Sequence, residues 1–334
     1  MNVEQRSNLN VEELCTRNVA MARCLKLAAL AAKSEVPVLI LGETGTGKTL
    51  LAQAIHNSSR RAAGPFISFN ASAMSDTLLE SQLFSHERGA FTGAQKTLKG
   101  KFEMAGTGTL FLDEIADMSP LAQAKILRAV EYGEFERLGS ERSLHSNARI
   151  FSATNRSLRG LIHEGRFRED LYHRLNGLTL HIPPLRDRRE DLPAIIAVEI
   201  KRAASECGKT VKAIDPTAMK LLLAHPWPGN LREIHHAVST MLLLADGEII
   251  APEHIQFEAD SMAASALSEL NGKEQKPALG PVSQDDLTLA SAVRTHIRRV
   301  SETVNGNQRN VAARLGISRA TLSRHLQRVD SDMR

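Results

Sequence analysis

The stretch Leu39-Ile40-Leu41-Gly42-Glu43-Thr44-Gly45-Thr46-Gly47-Lys48-Thr49 decides the fold of this chain. The apolar run over residues 36–41 predicts a buried strand, and a helical pattern follows the loop through Ile55. Between them lies the pattern G-x-x-x-x-G-K-[ST], which in a strand–loop–helix context indicates a phosphate-binding loop. A glycine-rich turn before a helix is the alternative, but all eight positions of the template and both flanks match. The sequence therefore predicts that the chain binds a nucleoside triphosphate.

The residue types in this loop suit the chemistry of phosphate binding. Glycines allow backbone N–H groups to close around a β-phosphate, and the N-terminus of the following helix adds the positive end of its dipole. Lys48 is expected to reach the β- and γ-phosphates, and the Thr49 hydroxyl to bind Mg²⁺. The expected nucleotide-binding residues of the loop are Gly42, Glu43, Thr44, Gly45, Thr46, Gly47, Lys48 and Thr49.

The composition of the 334-residue chain allows two or three domains and excludes several classes of protein. Aromatic residues make up 4%, so the core must be mainly aliphatic. No apolar run reaches the ~20 residues of a membrane-spanning helix, and the N-terminus lacks a signal-peptide pattern. Cys15, Cys24 and Cys207 have no C-x-x-C spacing, which indicates free thiols rather than a disulfide framework or a zinc site. We therefore expect a cytoplasmic protein without membrane contact.

The positive charge of the chain is concentrated at its C-terminal end. The formal net charge is +4, and residues 283–334 alone contain nine Arg, no Lys and five acidic residues, which is again +4. A local basic excess of this kind is typical of nucleic-acid binding, although a solvated basic surface is the alternative.

Alternating strands and helices fill the first half of the chain. Apolar strands are predicted at residues 36–41, 65–70, 108–114, 148–155 and 178–182. Helical patterns lie between them, notably at residues 19–32, 121–132 and 168–175. This alternation predicts an α/β fold with a parallel five-stranded sheet covered by helices on both faces. Ligands of such sheets bind at the carboxyl ends of the strands.

The strand pattern stops at Pro184, and helices are predicted at residues 187–207, 215–225 and 230–245, forming a small all-helical subdomain. Residues 259–282 are rich in Ala, Ser, Gly and Pro without periodicity, which indicates a linker. A further helix is predicted at residues 287–304, followed by two shorter helices at 309–315 and 319–328.

A pair of acidic residues ends the strand at residues 108–114. Asp113 is expected to hold Mg²⁺ through water, and Glu114 to orient or deprotonate the attacking water molecule. Phosphoryl transfer depends mainly on positioning and charge neutralisation, which these two carboxylates can supply. A strand that ends in a solvated acidic turn is the alternative, and the nearby phosphate-binding loop argues against it.

The two short helices at the C-terminus have the features of a helix-turn-helix. Gly316 lies at the turn and Ser318 is placed to cap the last helix. A second helix with basic and hydroxyl side chains facing outward is suited to docking in the major groove of DNA, although a solvated basic hairpin is the alternative. The expected DNA-binding residues are Ser318, Arg319, Thr321, Arg324, His325 and Arg328.

The segment Gly89-Ala90-Phe91-Thr92-Gly93-Ala94, with one aromatic residue between glycines, resembles the signature loop of bacterial enhancer-binding proteins. These are the AAA+ activators of sigma-54 RNA polymerase, of the NtrC and PspF type. Five other segments resemble motifs of the same family: 42–48 Walker A, 108–114 Walker B, 153–155 sensor I, 167–174 the arginine-finger helix, and 227–233 sensor II. The resemblance covers roughly residues 15–257 and resumes in the tail, which is similar to a Fis-type helix-turn-helix.

The resemblance implies a role for each matching residue. It implies that Asn155 senses the γ-phosphate and that Asn70 holds Glu114 back until neighbouring subunits are aligned. Arg168 and Arg174 would reach into the site of the neighbouring subunit. Contact with nucleotide from the helical lid is implied for Arg232, and contact with sigma-54 for Gly89, Ala90, Phe91, Thr92, Gly93 and Ala94.

The domain organisation implied by the resemblance has five parts. They are a short N-terminal segment (1–14), an AAA+ α/β ATPase subdomain (15–184), a helical lid subdomain (185–258), a linker (259–282) and a helix-turn-helix DNA-binding domain (283–334). No regulatory domain precedes the ATPase in this sequence, so control is expected to come from expression level, a partner protein acting in trans, or assembly.

The resemblance implies a transcription activator driven by ATP and Mg²⁺. A ring of subunits, expected to be a hexamer, would push its signature loops against sigma-54 and convert closed promoter complexes of the RNA polymerase holoenzyme to open ones. The tail would hold the ring at upstream double-stranded enhancer DNA. An AAA+ remodelling ATPase of another class is one alternative, and a DNA-binding repressor with a vestigial ATPase domain is another.

The sequence departs from the family pattern at three positions. Thr49 stands where members often carry an acidic residue, which makes the loop more similar to the general phosphate-binding loop and favours Mg²⁺ coordination. Gln82 and Ser85 stand where the family commonly has Glu and Gly before the signature loop. An altered mobility of that loop is the expected consequence, with its direction left open.

Overall fold

The computed structural model describes residues 9–72, 74–90, 94, 96–140 and 142–257. The chain divides into two units at residue 270, and all described residues belong to the first. The predicted linker over residues 259–282 and the predicted helix-turn-helix lie outside the described residues. Within the described ranges, no helix is both long enough and apolar enough to cross a membrane.

A five-stranded sheet forms the centre of the fold. Its strands are β1 (Val38–Leu41), β2 (Phe66–Asn70), β3 (Thr109–Asp113), β6 (Arg149–Thr154) and β7 (Leu178–His181). All pairs are parallel, and the strands lie in the order β2-β3-β6-β1-β7. This confirms the predicted parallel sheet, and each of the five predicted strands is present.

Helices cover both faces of the sheet, which explains why its central strands are apolar without alternation. Along β1, the side chain of Leu39 joins one buried cluster, whereas Val38 and Ile40 join the other. The described helices of this subdomain are α1 (Val19–Ala32), α2 (Lys48–Asn57), α3 (Asp76–Phe84), α4 (Lys101–Ala105), α5 (Pro120–Tyr132), α6 (Leu158–His163) and α7 (Glu169–Leu175).

Three of these helices and one hairpin were not predicted. Helices α3, α4 and α6 are too short or too weakly amphipathic to give a periodic signal. The antiparallel hairpin consists of β4 (Glu134–Glu136) and β5 (Ser143–His145) and is inserted between α5 and β6. Gly133, with φ +71°, ends α5 and turns the chain into this hairpin.

The lid subdomain consists of α8 (Leu192–Cys207), α9 (Pro216–Ala224), α10 (Asn230–Leu244) and a parallel pair of two-residue strands, β8 (Ala213–Ile214) and β9 (Ile249–Ile250). The prediction that this subdomain is all-helical was therefore wrong in one detail. The predicted helix start at residue 187 was also wrong, because two 3₁₀ turns, Leu185–Asp187 and Arg189–Asp191, precede α8. Pro193 lies in the first turn of α8, the only part of a helix that tolerates proline without a kink.

His225 lies in the core of the lid in its neutral form. Its side chain is buried, its ring stacks on Phe257 at 4.0 Å between centroids, and its Nδ1 accepts a hydrogen bond from the Trp227 backbone N–H at 3.2 Å. Glu233 Oε1, 3.6 Å from Nδ1, favours the protonated ring, but burial prevails and lowers the pKa of His225 to about 4.

The lid is expected to lose stability in mild acid because of His225. The unfolded chain takes up a proton near pH 6.5, whereas the folded state resists it until about pH 4. The stabilisation is therefore complete above pH 6.5 and falls by at most about 1.4 kcal/mol per pH unit below it. Urea unfolding of the wild type at pH 7, 6 and 5 should show this slope, and His225→Gln should flatten it. Equal slopes in His225→Gln and in His163→Gln, an exposed control on α6, would contradict the assignment.

Candidate nucleotide-binding site

The strand order brings the predicted site residues to one edge of the sheet. Strand β6 lies between β1 and β3, so the carboxyl ends of these three strands are neighbours. The phosphate-binding loop follows β1, Asp113 ends β3 and is followed by Glu114, and Asn155 follows β6. The hydrogen bonds described below join all three segments.

Backbone conformation explains two of the glycines in the loop. Gly45 has φ +79° and Gly47 has φ +101°, values that favour glycine. A Cβ atom on Gly45 would also lie 2.2 Å from the backbone oxygen of Gly229 in the lid. The buried Thr46 closes the turn by donating its hydroxyl to the Glu43 backbone oxygen at 2.7 Å. Gly47 then caps α2, whose first-turn N–H groups lack intrahelical acceptors and suit a phosphate.

Lys48 lies between the loop and the acidic pair. Its Nζ donates to the backbone oxygens of Gly42 at 3.0 Å and Glu43 at 3.3 Å, and lies 3.6 Å from Glu114 Oε1. The side chain is only 6% exposed, so these polar partners are required to compensate its desolvation. The ammonium group is thus placed to neutralise anionic groups at this edge of the sheet.

The two carboxylates at the end of β3 are held by an unusual turn. Glu114 has φ +51°, and its backbone N–H donates to Asp113 Oδ1 at 3.0 Å. Burial raises the pKa of Asp113, and the charge of Glu114 raises it further, whereas Lys48 and Arg232 lower it. A raised carboxylate pKa indicates a site that gains from an added cation. With the exposed Thr49 hydroxyl on α2, these hard oxygen donors fit Mg²⁺ bound with a nucleotide.

Asn155 connects the sheet edge to both motifs. Its Nδ2 donates to Thr44 Oγ1 at 2.9 Å, and its backbone N–H donates to Glu114 Oε2 at 3.4 Å. Asn70 is in register with Asp113 on the neighbouring strand, and its Oδ1 accepts from the Ser72 backbone N–H at 2.8 Å. Glu114 therefore contacts Lys48 and Asn155 in this structure, and the switch role of Asn70 stays a prediction.

The arginines differ in their distance from the loop. Arg168, at the start of α7, pairs with Asp170 at 2.7 Å, and Arg174 pairs with Glu131. Both side chains are about half exposed, at 46% and 54%, so they are accessible to a second subunit. Arg232 lies beside the loop instead, because a Cβ atom on Gly45 would be 3.2 Å from its Cβ.

Backbone hydrogen bonds join the described residues at the base of the signature loop. His86 and Leu98 exchange two backbone hydrogen bonds, at 3.3 and 3.1 Å, and Gly89 N–H donates to the Ala94 backbone oxygen at 2.9 Å. Glu87 N–H donates to Leu138 in the β4–β5 hairpin at 3.0 Å. Ala90 also approaches the hairpin, because a Cβ atom on Gly139 would lie 2.9 Å from the Ala90 Cβ. Phe91, Thr92 and Gly93 lie outside the described residues.

Ser85, at the base of the loop, adopts a conformation that is normally restricted to glycine. Its φ of +76° and ψ of +166° are in a region that costs about 1–3 kcal/mol for other residues. The fully buried hydroxyl accepts from the Gly100 backbone N–H at 2.7 Å and donates to Glu103 at 3.1 Å. Glu103 also accepts from Arg137 of the hairpin at 3.1 Å. The departure from the family pattern therefore introduces strain together with two compensating hydrogen bonds.

Two contacts between lid and loop were missed by the sequence analysis. Arg186 donates to the Glu43 carboxylate through both Nη atoms, at 2.7 and 2.5 Å. Asn230 donates from Nδ2 to the Thr44 backbone oxygen at 3.1 Å. Neither residue stands out by spacing, although Asn230 lies within the segment that resembles sensor II.

Comparison with protein families agrees with this geometry. The family of the Sigma-54 interaction domain matches residues 14–181, and the AAA+ ATPase lid domain matches residues 186–271. The chain belongs to the family of sigma-54-dependent transcriptional activators. As a family member with an AAA+ P-loop NTPase domain, it is implied to have ATPase activity. The predicted AAA+ α/β fold with its lid and the resemblance to sigma-54 activators are confirmed, whereas the C-terminal helix-turn-helix stays a prediction.

Individual relatives match most of this chain and about two thirds of their own length. Regulatory protein AtoC of Escherichia coli K12 is 43% identical over 321 residues, covering 96% of this chain and 68% of that protein. The DNA-binding transcriptional regulator NtrC of Rhizobium meliloti is 38% identical, covering 94% and 69%. Among solved structures, NtrX from Brucella abortus in complex with ADP has a TM-score of 0.69 at 32% identity and covers 97% of this chain and 70% of its own.

The strain at Ser85 predicts an order of stability between two variants. Ser85→Gly removes both the strain and the hydroxyl, whereas Ser85→Ala removes the hydroxyl and keeps the strain. We expect Ser85→Gly to have the larger free energy of unfolding, by about 1 kcal/mol, in urea titrations. At Ser75, where φ is −67°, glycine should instead be no better than alanine. Equal stability of the two Ser85 variants would contradict the strained conformation.

Proposed function

We propose that this activator hydrolyses ATP in a ring, expected to be a hexamer, to remodel sigma-54 RNA polymerase holoenzyme at promoters. The observation that carries the proposal is the shared sheet edge, where Lys48, Asp113, Glu114 and Asn155 surround the phosphate-binding loop. Brucella NtrX, a relative at 32% and 31% identity, has been solved with ADP and with ATP, which supports a nucleotide as the ligand. We place this activity in the cytoplasm.

In the proposed reaction, Lys48 and the loop N–H groups hold the β- and γ-phosphates. Thr49 and Asp113 would hold Mg²⁺, which neutralises charge on the phosphates when bound. Glu114 orients the attacking water and accepts its proton, since its Oε1 lies 3.6 Å from the Lys48 ammonium at the phosphate position. Asn155, bonded to both Thr44 and Glu114, is suited to respond to the γ-phosphate. Arg232 adds positive charge from the lid.

Motion of the signature loop would follow from the packing of α4. This short helix packs against β2 and β3, and β3 carries the two acidic residues at its end. The same helix starts beside Gly100, whose N–H is bonded to Ser85 at the base of the loop. A shift at the end of β3 can therefore reach residues 89–94, which would present Phe91 and Thr92 to sigma-54.

The remaining parts of the proposal concern assembly and DNA. Arg168 and Arg174 would complete the site of the adjacent subunit, where such arginines are worth ~10³–10⁵ in rate. The C-terminal tail, with its predicted residues Arg319, Thr321 and Arg324, would bind upstream DNA. A regulatory partner acting in trans remains part of the proposal.

Capture of purified sigma-54 is the first test of the partner. With ADP and a γ-phosphate transition-state mimic, the wild type is expected to retain sigma-54, and Thr92→Ala to lose it at least tenfold. Thr77→Ala, an exposed threonine on α3, is the matched control and should bind normally. Absence of capture by a wild type that hydrolyses ATP would replace the activator function with that of another AAA+ remodeller.

Mixing two inactive variants tests the arginines in trans. Glu114→Gln lacks the base of its own site, and Arg174→Ala lacks the arginine that would reach into the site of the adjacent subunit. Each variant alone should therefore lose at least a hundredfold in ATPase rate. In an equal mixture, about one interface in four pairs an intact Glu114 with an intact Arg174 and should regain activity. Arg166→Ala, an exposed arginine before α7, should stay active as the control. A mixture that stays inactive would refute action between subunits.

A further inference from the structure

Three consecutive backbone oxygens of the phosphate-binding loop accept hydrogen bonds from the lid. Thr44 O accepts from Asn230 Nδ2 at 3.1 Å, Gly45 O from the Leu231 N–H at 2.9 Å, and Thr46 O from Arg188 Nη2 at 3.3 Å. The preceding oxygens, of Gly42 and Glu43, accept from Lys48. The first oxygens of the loop are therefore held by a donor within the loop, and the next three are held by donors from the lid.

These bonds determine where the loop N–H groups point. A trans peptide is planar, so the oxygen of one residue and the N–H of the next face opposite sides. With the oxygens of Thr44 and Thr46 turned toward the lid, the N–H groups of Gly45 and Gly47 are turned away from it. Phosphate oxygens are bound by N–H groups oriented in this way. Through these three bonds the lid contributes to the cradle by a route that does not involve contact with the phosphate.

Asn230 is fixed from two sides. It is fully buried, and its φ of +54° lies in the left-handed region that asparagine tolerates better than most residues. Its Oδ1 accepts from the Leu185 N–H at 2.8 Å, at the junction between the α/β subdomain and the lid. Its Nδ2 faces the oxygens of Thr44 and Pro228. One amide thus connects the subdomain junction to the loop.

Arg188 reaches the loop from the same junction segment, directly after the 3₁₀ turn Leu185–Asp187. It is 5% exposed, and Asp191 supports its charge. Asp191 is in turn fixed by the Thr16 hydroxyl at 2.6 Å and the Arg17 N–H at 2.7 Å. Burying a guanidinium costs several kcal/mol unless it is paired and hydrogen-bonded. Its bond to Thr46 O is one of the interactions that offset this cost.

We propose that Asn230 and Arg188 are positioning residues, which hold the phosphate-binding loop in its nucleotide-binding shape and make its affinity depend on the orientation of the lid. This inference rests on the proposed nucleotide-binding function and adds a route of control to it. By reciprocity, a nucleotide that requires this loop shape stabilises the docked lid to the same extent. Any rotation of the lid at residues 185–188 would alter the three bonds together.

Variants of Asn230 separate this role from simple lid stability. Asn230→Asp keeps the acceptor for Leu185 but places an oxygen against Thr44 O, near the Glu43 carboxylate at 3.5 Å. Asn230→Gly keeps the backbone conformation and removes both bonds without adding charge. Arg188→Met removes the bond to Thr46 and also the positive charge that faces the buried Asp191. Loss of one partner of a buried charge pair destabilises folding, so the folded fraction of this variant must be measured together with its affinity.

The control is Asp215→Ala, which removes the cap of lid helix α9 without contact to the loop. Dissociation constants are measured on the full chain with Mg²⁺ and N-methylanthraniloyl-ADP, and folding is followed by circular dichroism. We expect affinity to fall about tenfold in Asn230→Asp and Asn230→Gly, and severalfold in Arg188→Met. Asp215→Ala should change it less than twofold. In ATP hydrolysis, the KM of the Asn230 variants should rise. Their kcat should stay within about threefold of the wild-type value, because Lys48 and Glu114 remain in place.

Three results would overturn the inference while leaving the proposed function intact. One is wild-type affinity for ADP in all three variants. The others are an equal loss of affinity in Asp215→Ala and a loss confined to kcat in the Asn230 variants, either of which would indicate a smaller folded fraction rather than a misplaced loop. A wild type that binds no ADP would overturn the nucleotide-binding function and this inference together.

Discussion

Parallel strand alignment is the constraint on which the site depends, because it places the carboxyl ends of all five strands at one edge of the sheet. Residues far apart in sequence, such as Lys48, Glu114 and Asn155, come into contact only there. The sheet can be parallel throughout because helices cover both of its faces and bury its apolar strands. The parallel topology of the sheet therefore determines both the packing of the core and the geometry of the site.

The site combines charges that would be unfavourable in isolation. Asp113 and Glu114 are adjacent carboxylates, and the desolvated Lys48 lies between Glu114 and the loop. Lys48 offsets the burial of both carboxylates, which repel each other, and the remaining negative charge suits a divalent cation. Around this centre the lid supplies donors to the loop oxygens, and the β4–β5 hairpin supplies acceptors and donors to the signature loop. The nucleotide edge and the loop base are thus each held by contacts from a separate element of the fold.

The sequence analysis predicted the five strands and the sheet edge, because long apolar runs and a glycine-rich motif are local signals. It missed the β4–β5 hairpin, whose three-residue strands give no periodicity. It identified Ser85 as a departure from the family pattern but left the effect on the signature loop open. The backbone conformation of Ser85 depends on the close approach of Gly100, which the sequence does not reveal. Contacts such as Asn230 to Thr44 depend on the docking of two subdomains, which no local pattern encodes.

The pairing of β1 has a consequence for how the chain is made. Both neighbours of β1, strands β6 and β7, begin more than a hundred residues after it ends. At ~5–20 residues per second, the ribosome needs on the order of 5–20 s to deliver the first of them. During that interval the apolar strand Val38–Leu41 has no sheet partner within its own subdomain. The same strand order that assembles the site thus exposes its first strand to chaperones and to aggregation during synthesis.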